Sequence, residues 1–510
     1  MGTQRLSVAL ASPHYLATAA GRAAVAAGGN AVDAVLAAAA VLAVVHPQDT
    51  SIGGDAVAVV SLPDGRPAAY IGVGRTGATL DVAAVRARAG LALPPRDIAT
   101  VTVPGVVGLW GLLHSAHALR PWALTLRPAI GLAGEGVAVS APLARAIAAE
   151  GDLIAADPGL RSTLSVDGRP LAAGDRLIQP ALAGSLHRLA EAGAGDFYHG
   201  EVAASLVAAL ARRGSALTGS DFSDHRTLVT RPLAAQWGRS QIWVAPPPTQ
   251  GFTLLQLLAA VDRLEAGDLL GAEANRLAQL FELVGADRNA WLADVPSPEQ
   301  PWAEAGVSAL LDRLSSAGFG HHPKAAGDTV AIVAVDSSGL AVSLIQSVFY
   351  AFGSGILDPV TGVLLHNRGA SFQLLEGHRA ELAPGRRPPH TLLPMVSSGP
   401  EGITAAGTMG GLAQPQILAQ VLMRLRAGAS PQEAVTAPRW AVGSIERGGL
   451  ELQVESGVSS TARSSLATLG WPQVDLPSVN DDVGHAQVAR RSAAGTLSEG
   501  SDPRAAGRVG

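Results

Sequence analysis

"DTVAIVAVDSSGLAVSLIQS", residues 328–347, sets an aspartate and a threonine at the mouth of an apolar run, turns at "DSSG" and returns through a second apolar run. Two such segments around a Ser/Gly turn predict a buried antiparallel hairpin. With a four-residue turn Val335 opposes Leu340, and Thr329 falls opposite Gln346 and beside Ser347; with a five-residue turn Thr329 stands opposite Ser347 itself. Either register brings two hydroxyls together. Asp328 and Thr329 also have an ordinary reading, as a loop-closing acid and a β-branched strand former.

A threonine hydroxyl is a poor nucleophile unless a base sits beside it, and one such base is the threonine's own α-amine once the preceding peptide bond is cut. That amine has a pKa of about 7.7–8.0, suited to general-base work near neutral pH. The chemistry therefore requires scission of Asp328–Thr329, which leaves Thr329 as a chain N-terminus already fixed on a strand.

The rest of the chain bounds where such chemistry sits. Its 510 residues are 48% hydrophobic, enough for a sizeable core, and its 37 basic and 42 acidic residues give a net charge of −5 with no Lys/Arg-rich block. A small-molecule substrate is expected, with neither nucleic acid nor membrane as partner. Cysteine is absent, which excludes disulfides, cysteine nucleophiles and thiolate metal sites. The N-terminal "MGTQRLSVALASPHYLATAAGRAA" lacks the uninterrupted apolar stretch of a signal peptide and reads as cytoplasmic.

The longest apolar run, "AVLAAAAVLAVV" at 34–45, is too short to span a bilayer and predicts a buried helix capped by Asn30 and stopped at His46-Pro47. "AVAVVS" and "AAYIGV" around "PDG" predict a hairpin, so stacked layers are expected. From about 107 to 320 the pattern is mainly helical, as in "APLARAIAAEGDLI", "EVAASLVAALARRG" and "FTLLQLLAAVDRL". After the central hairpin a short strand pair is expected around "GVLLHN" and "GITAAG". The helix "PQILAQVLMRLRAG" follows, then glycine-rich loops and a polar tail.

"GVGRTG", residues 72–77, matches a dinucleotide-binding glycine pattern. Its preceding strand belongs to a hairpin, however, and Asp97 follows "PPR" instead of ending a second strand, so the fingerprint is incomplete. The glycines instead offer a backbone that places Arg75 in a cleft, where its guanidinium holds a carboxylate, or Arg75 is a surface residue. His321-His322 are adjacent and point apart, and neither an H-E-x-x-H, an EF-hand, a P-loop nor a G-x-S-x-G pattern occurs. No cofactor and no metal are expected.

Segments spread along most of the chain resemble the γ-glutamyltransferases, N-terminal-nucleophile hydrolases made as one self-cleaving chain. "AAGGNAVDAVLAAAAVLAVVHPQDTSIGGD" is similar to the family's N-terminal signature, and "TVPGVVGLWGLL" and "APPPTQGFTLLQLL" are similar to its middle segments. "SDPRAAGRVG" resembles its ending, and "GDTVAIVAVDSSGLAVSLIQSVFYAFGSGI" its nucleophile hairpin. The resemblance implies a four-layer αββα sandwich of mixed α/β class. It also implies cleavage into a large subunit, 1–328, and a small one, 329–510, that remain one intertwined heterodimer. Thr329 matches the nucleophile, Ser347 an assisting hydroxyl, and Gly410 and Gly411 the pair whose N–H groups hold the oxyanion, their alternative being a plain turn. Arg75 matches the arginine that grips the donor carboxylate.

Where glutathione-cleaving members hold the glutamyl ammonium, this chain has Phe349, Arg368 and Ser371, with His390-Thr391 in place of a serine pair. No carboxylate remains at those positions. "LIQS", "FGSG", "HNRG" and "RRPPHT" resemble the branch of oxamate amidohydrolase and dicarboxylic-acid acylases, although Leu412 stands where that branch often has an acid. Arg368 is either a core ion-pair residue or, with Arg75, half of a dianion pocket. Three readings follow: a transferase or hydrolase of γ-glutamyl compounds, an amidohydrolase of small acid amides such as oxamate or glutaryl amides, and an unprocessed binding protein.

Overall fold

Every residue from Val330 to Val335 is buried, so this strand must be covered on both faces. The computed structural model describes residues 6–295, 300–316, 328–443 and 450–505, and in it the strand lies inside a four-layer αββα sandwich. The first six-stranded sheet runs, in spatial order, Val8–Ala11, Asp328–Asp336, Ala341–Phe349, Asp55–Ser61, Pro67–Gly72 and Leu228–Thr230. The second runs Leu497–Ser501, Ala486–Ser492, Gly402–Thr408, Met395–Gly399, Ser240–Val244 and Leu233–Trp237.

Strand periodicity sorts the core into layers. Ala331, Val333 and Val335 point between the sheets and meet Val396, Ala405 and Ala489. Their alternates Val330, Ile332 and Ala334 share a core with the helices Ala31–Val45, Val106–His117 and Trp122–Glu135. The outer face of the second sheet is covered by Gly251–Arg263, Ala274–Trp291 and Gln414–Arg426.

The expected buried helix spans Ala31–Val45 with all its residues buried. Asn30 caps it in a reciprocal pairing with Asp33, and it ends at His46 as expected. Its alanines let the helix lie close to the sheet, while each fully buried valine or leucine contributes about 1.5–3 kcal/mol.

The central hairpin takes the five-residue turn. Val335 pairs with Ala341, and the register holds to Val330 opposite Gln346. Asp336 explains this choice, because its Oδ1 accepts the N–H groups of Ser338 and Leu340 at 2.9 and 3.2 Å. Its Oδ2 accepts the Ala31 N–H at 3.1 Å, pinning the turn to the helix start. The four-residue register, with Val335 opposite Leu340, is not adopted.

The span 107–320 is mainly helical as expected, with the strands Leu228–Thr230, Leu233–Trp237 and Ser240–Val244 set into it; the first two lie at sheet edges and the third pairs on both sides. Two expectations need correction. "GVLLHN" and "GITAAG" do not pair with each other: Leu364–Leu365 joins Ile356–Leu357, and Gly402–Thr408 lies between Met395–Gly399 and Ala486–Ser492. The chain end is no polar tail up to residue 505, since Ala486–Ser492 and Leu497–Ser501 complete the second sheet.

Candidate active site

At the start of the central strand the ladder breaks. Asp328 pairs with Phe349, one residue out of step with Val330 opposite Gln346, so Thr329 sits in a bulge facing Ser347. Its Oγ1 lies 3.2 Å from Ser347 Oγ, and both residues are buried. Ser347 Oγ also accepts the Phe349 N–H at 2.8 Å, which polarises it and fixes its direction.

Phe349 adopts φ +84°, a left-handed conformation rare for an aromatic residue, at the end of the strand. This places the Arg368 guanidinium 3.3 Å from its ring centroid. Arg368 is 1% exposed, donates through Nη1 to Thr391 Oγ1 at 3.0 Å, and makes no ion pair among the described residues. Arg368 feels the Asp55 carboxylate, without a direct ion pair. Burial, and the neighbouring Arg288 charge, pull its pKa down to about 9, so it stays a cation at neutral pH.

Gln250, which sequence reading did not single out, continues the network. Its Nε2 donates to the Thr391 carbonyl at 2.7 Å and to the Gly411 carbonyl at 2.9 Å, and its Oε1 accepts Arg288 Nε at 2.9 Å. Gly410 and Gly411 take φ +138° and +52°, and a Cβ on Gly410 would stand 2.5 Å from Ile417 Cδ1. Among the described residues neither glycine N–H donates to a protein acceptor. Two free donors on a segment held by its carbonyl suit an oxyanion site better than a plain turn.

Asp55 pairs across the sheet with Ser347. Its Oδ1 accepts the N–H groups of Gly74 and Gly105 at 3.3 and 3.1 Å, and its Oδ2 lies 3.5 Å from His390 Nε2 and 3.7 Å from His366 Nδ1. Burial raises the Asp55 carboxyl to about 8, lowers His366 to about 4 and holds His390 well below its usual value. The cluster is therefore mostly neutral at pH 7, which suits a site with uncompensated arginines nearby.

Arg75 stands at the exposed rim, where Nη1 donates to the Gly385 carbonyl at 3.3 Å. The loop that carries it packs tightly, since a Cβ on Gly74 would lie 1.5 Å from the Val103 carbonyl oxygen. The "GVGRTG" glycines thus serve backbone approach, and Asp97 pairs with Arg88 at 2.8 Å, not with a ribose. Behind Arg75, the buried Arg387 donates to the Val73 carbonyl at 3.0 Å, its pKa lowered by burial and by Arg75. No hydrogen bond among the described residues ties Arg75 to the Thr329–Ser347 pair.

The structure thus joins Thr329, Ser347, Arg368, Thr391 and Gly411 in one bonded network, with Gly410 and His390 adjoining it. Ser371 is turned to structure: its Oγ lies 2.8 and 2.7 Å from the carbonyls of Arg368 and Pro389, tying two loops together. His321 and His322 lie outside the described residues, as does the side chain of Asp328. Gln250, Arg288, Arg387, Asp55 and His366 were missed, although "APPPTQG", "RRPPHT", "SIGGD" and "HNRG" contain four of them. Arg288 sits in an ordinary amphipathic helix and carried no signal.

Two stacked sheets between helical layers, with a threonine at the head of a central strand, define an N-terminal-nucleophile hydrolase fold. The gamma-glutamyltranspeptidase family model matches residues 17–510, and the chain belongs to that family of enzymes. It is 35% identical over 524 residues to the oxamate amidohydrolase proenzyme of Klebsiella pneumoniae, covering 97% of each chain. It is 33% identical to the glutathione hydrolase-like YwrD proenzyme of Bacillus subtilis, covering 99% of this chain and 98% of that one. The crystal structure of cephalosporin acylase from Bacillus halodurans superposes with a TM-score of 0.90 at 30% identity, covering 100% of this chain and 97% of the other. No described helix is long and apolar enough to cross a membrane.

Proposed function

We propose that the chain cuts itself between Asp328 and Thr329 and then hydrolyses small amides that bear a carboxylate, of the oxamate or dicarboxylic-monoamide type. The 3.2 Å approach of Thr329 Oγ1 to Ser347 Oγ at a strand-opening bulge carries this reading. In maturation the Thr329 hydroxyl attacks the Asp328 carbonyl, the acyl group shifts from N to O, and water hydrolyses the ester. Chains of 328 and 182 residues result. In turnover the freed amine takes the hydroxyl proton and Oγ1 attacks the substrate carbonyl, whose oxyanion meets the N–H groups of Gly410 and Gly411. The leaving amine takes the proton back, and water then releases the acid. An amine in place of water gives transfer.

The buried Arg368 favours an anionic acyl group over a γ-glutamyl one. A γ-glutamyl donor brings an α-ammonium, and a guanidinium without a carboxylate partner repels it where an acid would hold it. With Arg75 at the rim, Arg368 supplies a second cation for the single carboxylate of such a substrate, and the two together face the dianionic acid that hydrolysis releases. Ammonia release from oxamate and glutaramate, compared with anilide cleavage of γ-glutamyl anilide, tests the reading. Faster turnover of the acid amides is expected, and turnover of the γ-glutamyl donor alone would overturn it.

A further inference from the structure

Directly after Gly411, Leu412 forms part of the wall of a small recess. Its other walls include the apolar Leu257, Phe281, Val284 and Val442, and one cation, Arg288. The Arg288 guanidinium spends two of its five N–H groups, Nε on Gln250 Oε1 and Nη1 on Asn289 Oδ1 at 2.9 and 3.0 Å. Three N–H groups remain. Glu282 also lines the recess, yet no ion pair among the described residues joins it, or any other carboxylate, to Arg288. A guanidinium set against apolar walls without a counter-ion is costly, and a carboxylate that accepts two parallel bonds from it offsets that cost. Arg288 and Arg368 flank the same Gln250–Thr391 link, so the positive field is shared across it.

We propose that this recess is a second anion subsite, in which Arg288 receives a carboxylate borne on a short apolar chain lying along Leu257, Phe281 and Leu412. The subsite rests on the proposed amide-cleaving reaction only for the owner of that chain, which is either the acyl group or the departing amine. An Arg288 carboxylate contact beside the oxyanion glycines selects substrates by length as well as charge.

Isothermal titration of the mature enzyme with glutarate and with butyrate tests the binding. Glutarate is expected to bind at least tenfold more tightly, and Arg288→Gln, or Leu412→Trp filling the recess, to reduce that preference at least fivefold. An undiminished preference in the folded variants would overturn the subsite, as would equal binding of both acids by the wild type. Turnover of glutaramate, whose carboxylate is on the acyl group, and of N-butyrylglycine, whose carboxylate is on the departing amine, then identifies the owner: Arg288→Gln raises KM for the one whose carboxylate reaches the recess. A mature enzyme whose glutarate preference falls in Arg288→Gln but which cleaves no amide would sink the reaction and leave the subsite standing.

Discussion

Gln250 holds Gly411 by its carbonyl, with Nε2 at 2.9 Å, while the same amide grips the Thr391 carbonyl at 2.7 Å. One side chain from the chain before Thr329 thus sets the glycine pair against the wall that carries Arg368. An oxyanion donor misplaced by about 1 Å is worth little.

Gln250→Ala is therefore expected to lower kcat at least tenfold with a smaller change in KM, since it loosens the glycine N–H groups and removes no substrate contact. Gln250→Glu, which keeps the shape but loses the donor, should behave alike. A variant with unchanged kcat would remove Gln250 from any positioning role.

Ser347→Ala deletes the hydroxyl facing Thr329 Oγ1 and strands the Phe349 N–H. Self-cleavage, followed as the disappearance of the intact chain on denaturing gels, should slow by roughly 10–100-fold, in the range of an assisting acid or base. Ser347→Thr should restore most of it. Processing at the wild-type rate in Ser347→Ala would show that Thr329 works without this neighbour.

Arg368→Gln removes the cation over the Phe349 ring. Turnover of oxamate or glutaramate should fall at least tenfold while that of γ-glutamyl anilide holds or rises. Unchanged rates on all donors would end the dianion-pocket reading.

Stability should depend on pH through buried histidines. Burial lowers His14 and His366 to about 4 and His46 to about 3, whereas the unfolded value is about 6.5. Their contribution is complete above pH 6.5 and is lost as pH falls toward 4, by about 2 kcal/mol per histidine at pH 5. Asp55, raised to about 8, acts oppositely: its contribution is complete below about pH 4 and drains away as pH rises to 8. Urea midpoints at pH 7 and 5 should differ strongly, and less so in His46→Gln. Equal midpoints in the wild type, with no change in His46→Gln, would mean that burial does not lower these rings.

Much of this was legible because it is local. A hydroxyl at the head of an apolar hairpin, the Asn30 cap and the "PDG" turn each follow from a few neighbouring residues. The strands Leu228–Thr230, Ser240–Val244 and Ala486–Ser492 were not, because each gains its place in a sheet from a partner far away in sequence. The register of the hairpin turned on the Asp336 side chain, which periodicity does not see. Arg288 and Gln250 join the site only when helices from one half of the chain pack against the glycine segment of the other. Ser371 looked like a ligand by position, yet its hydroxyl is used up by two carbonyls.

Intact-mass spectrometry of active enzyme, with N-terminal sequencing of each chain, tests the account most directly. Two chains of 328 and 182 residues are expected, the smaller beginning at Thr329, with Thr329→Ala remaining one inactive chain. Full activity from a preparation that contains only the uncut polypeptide would contradict it.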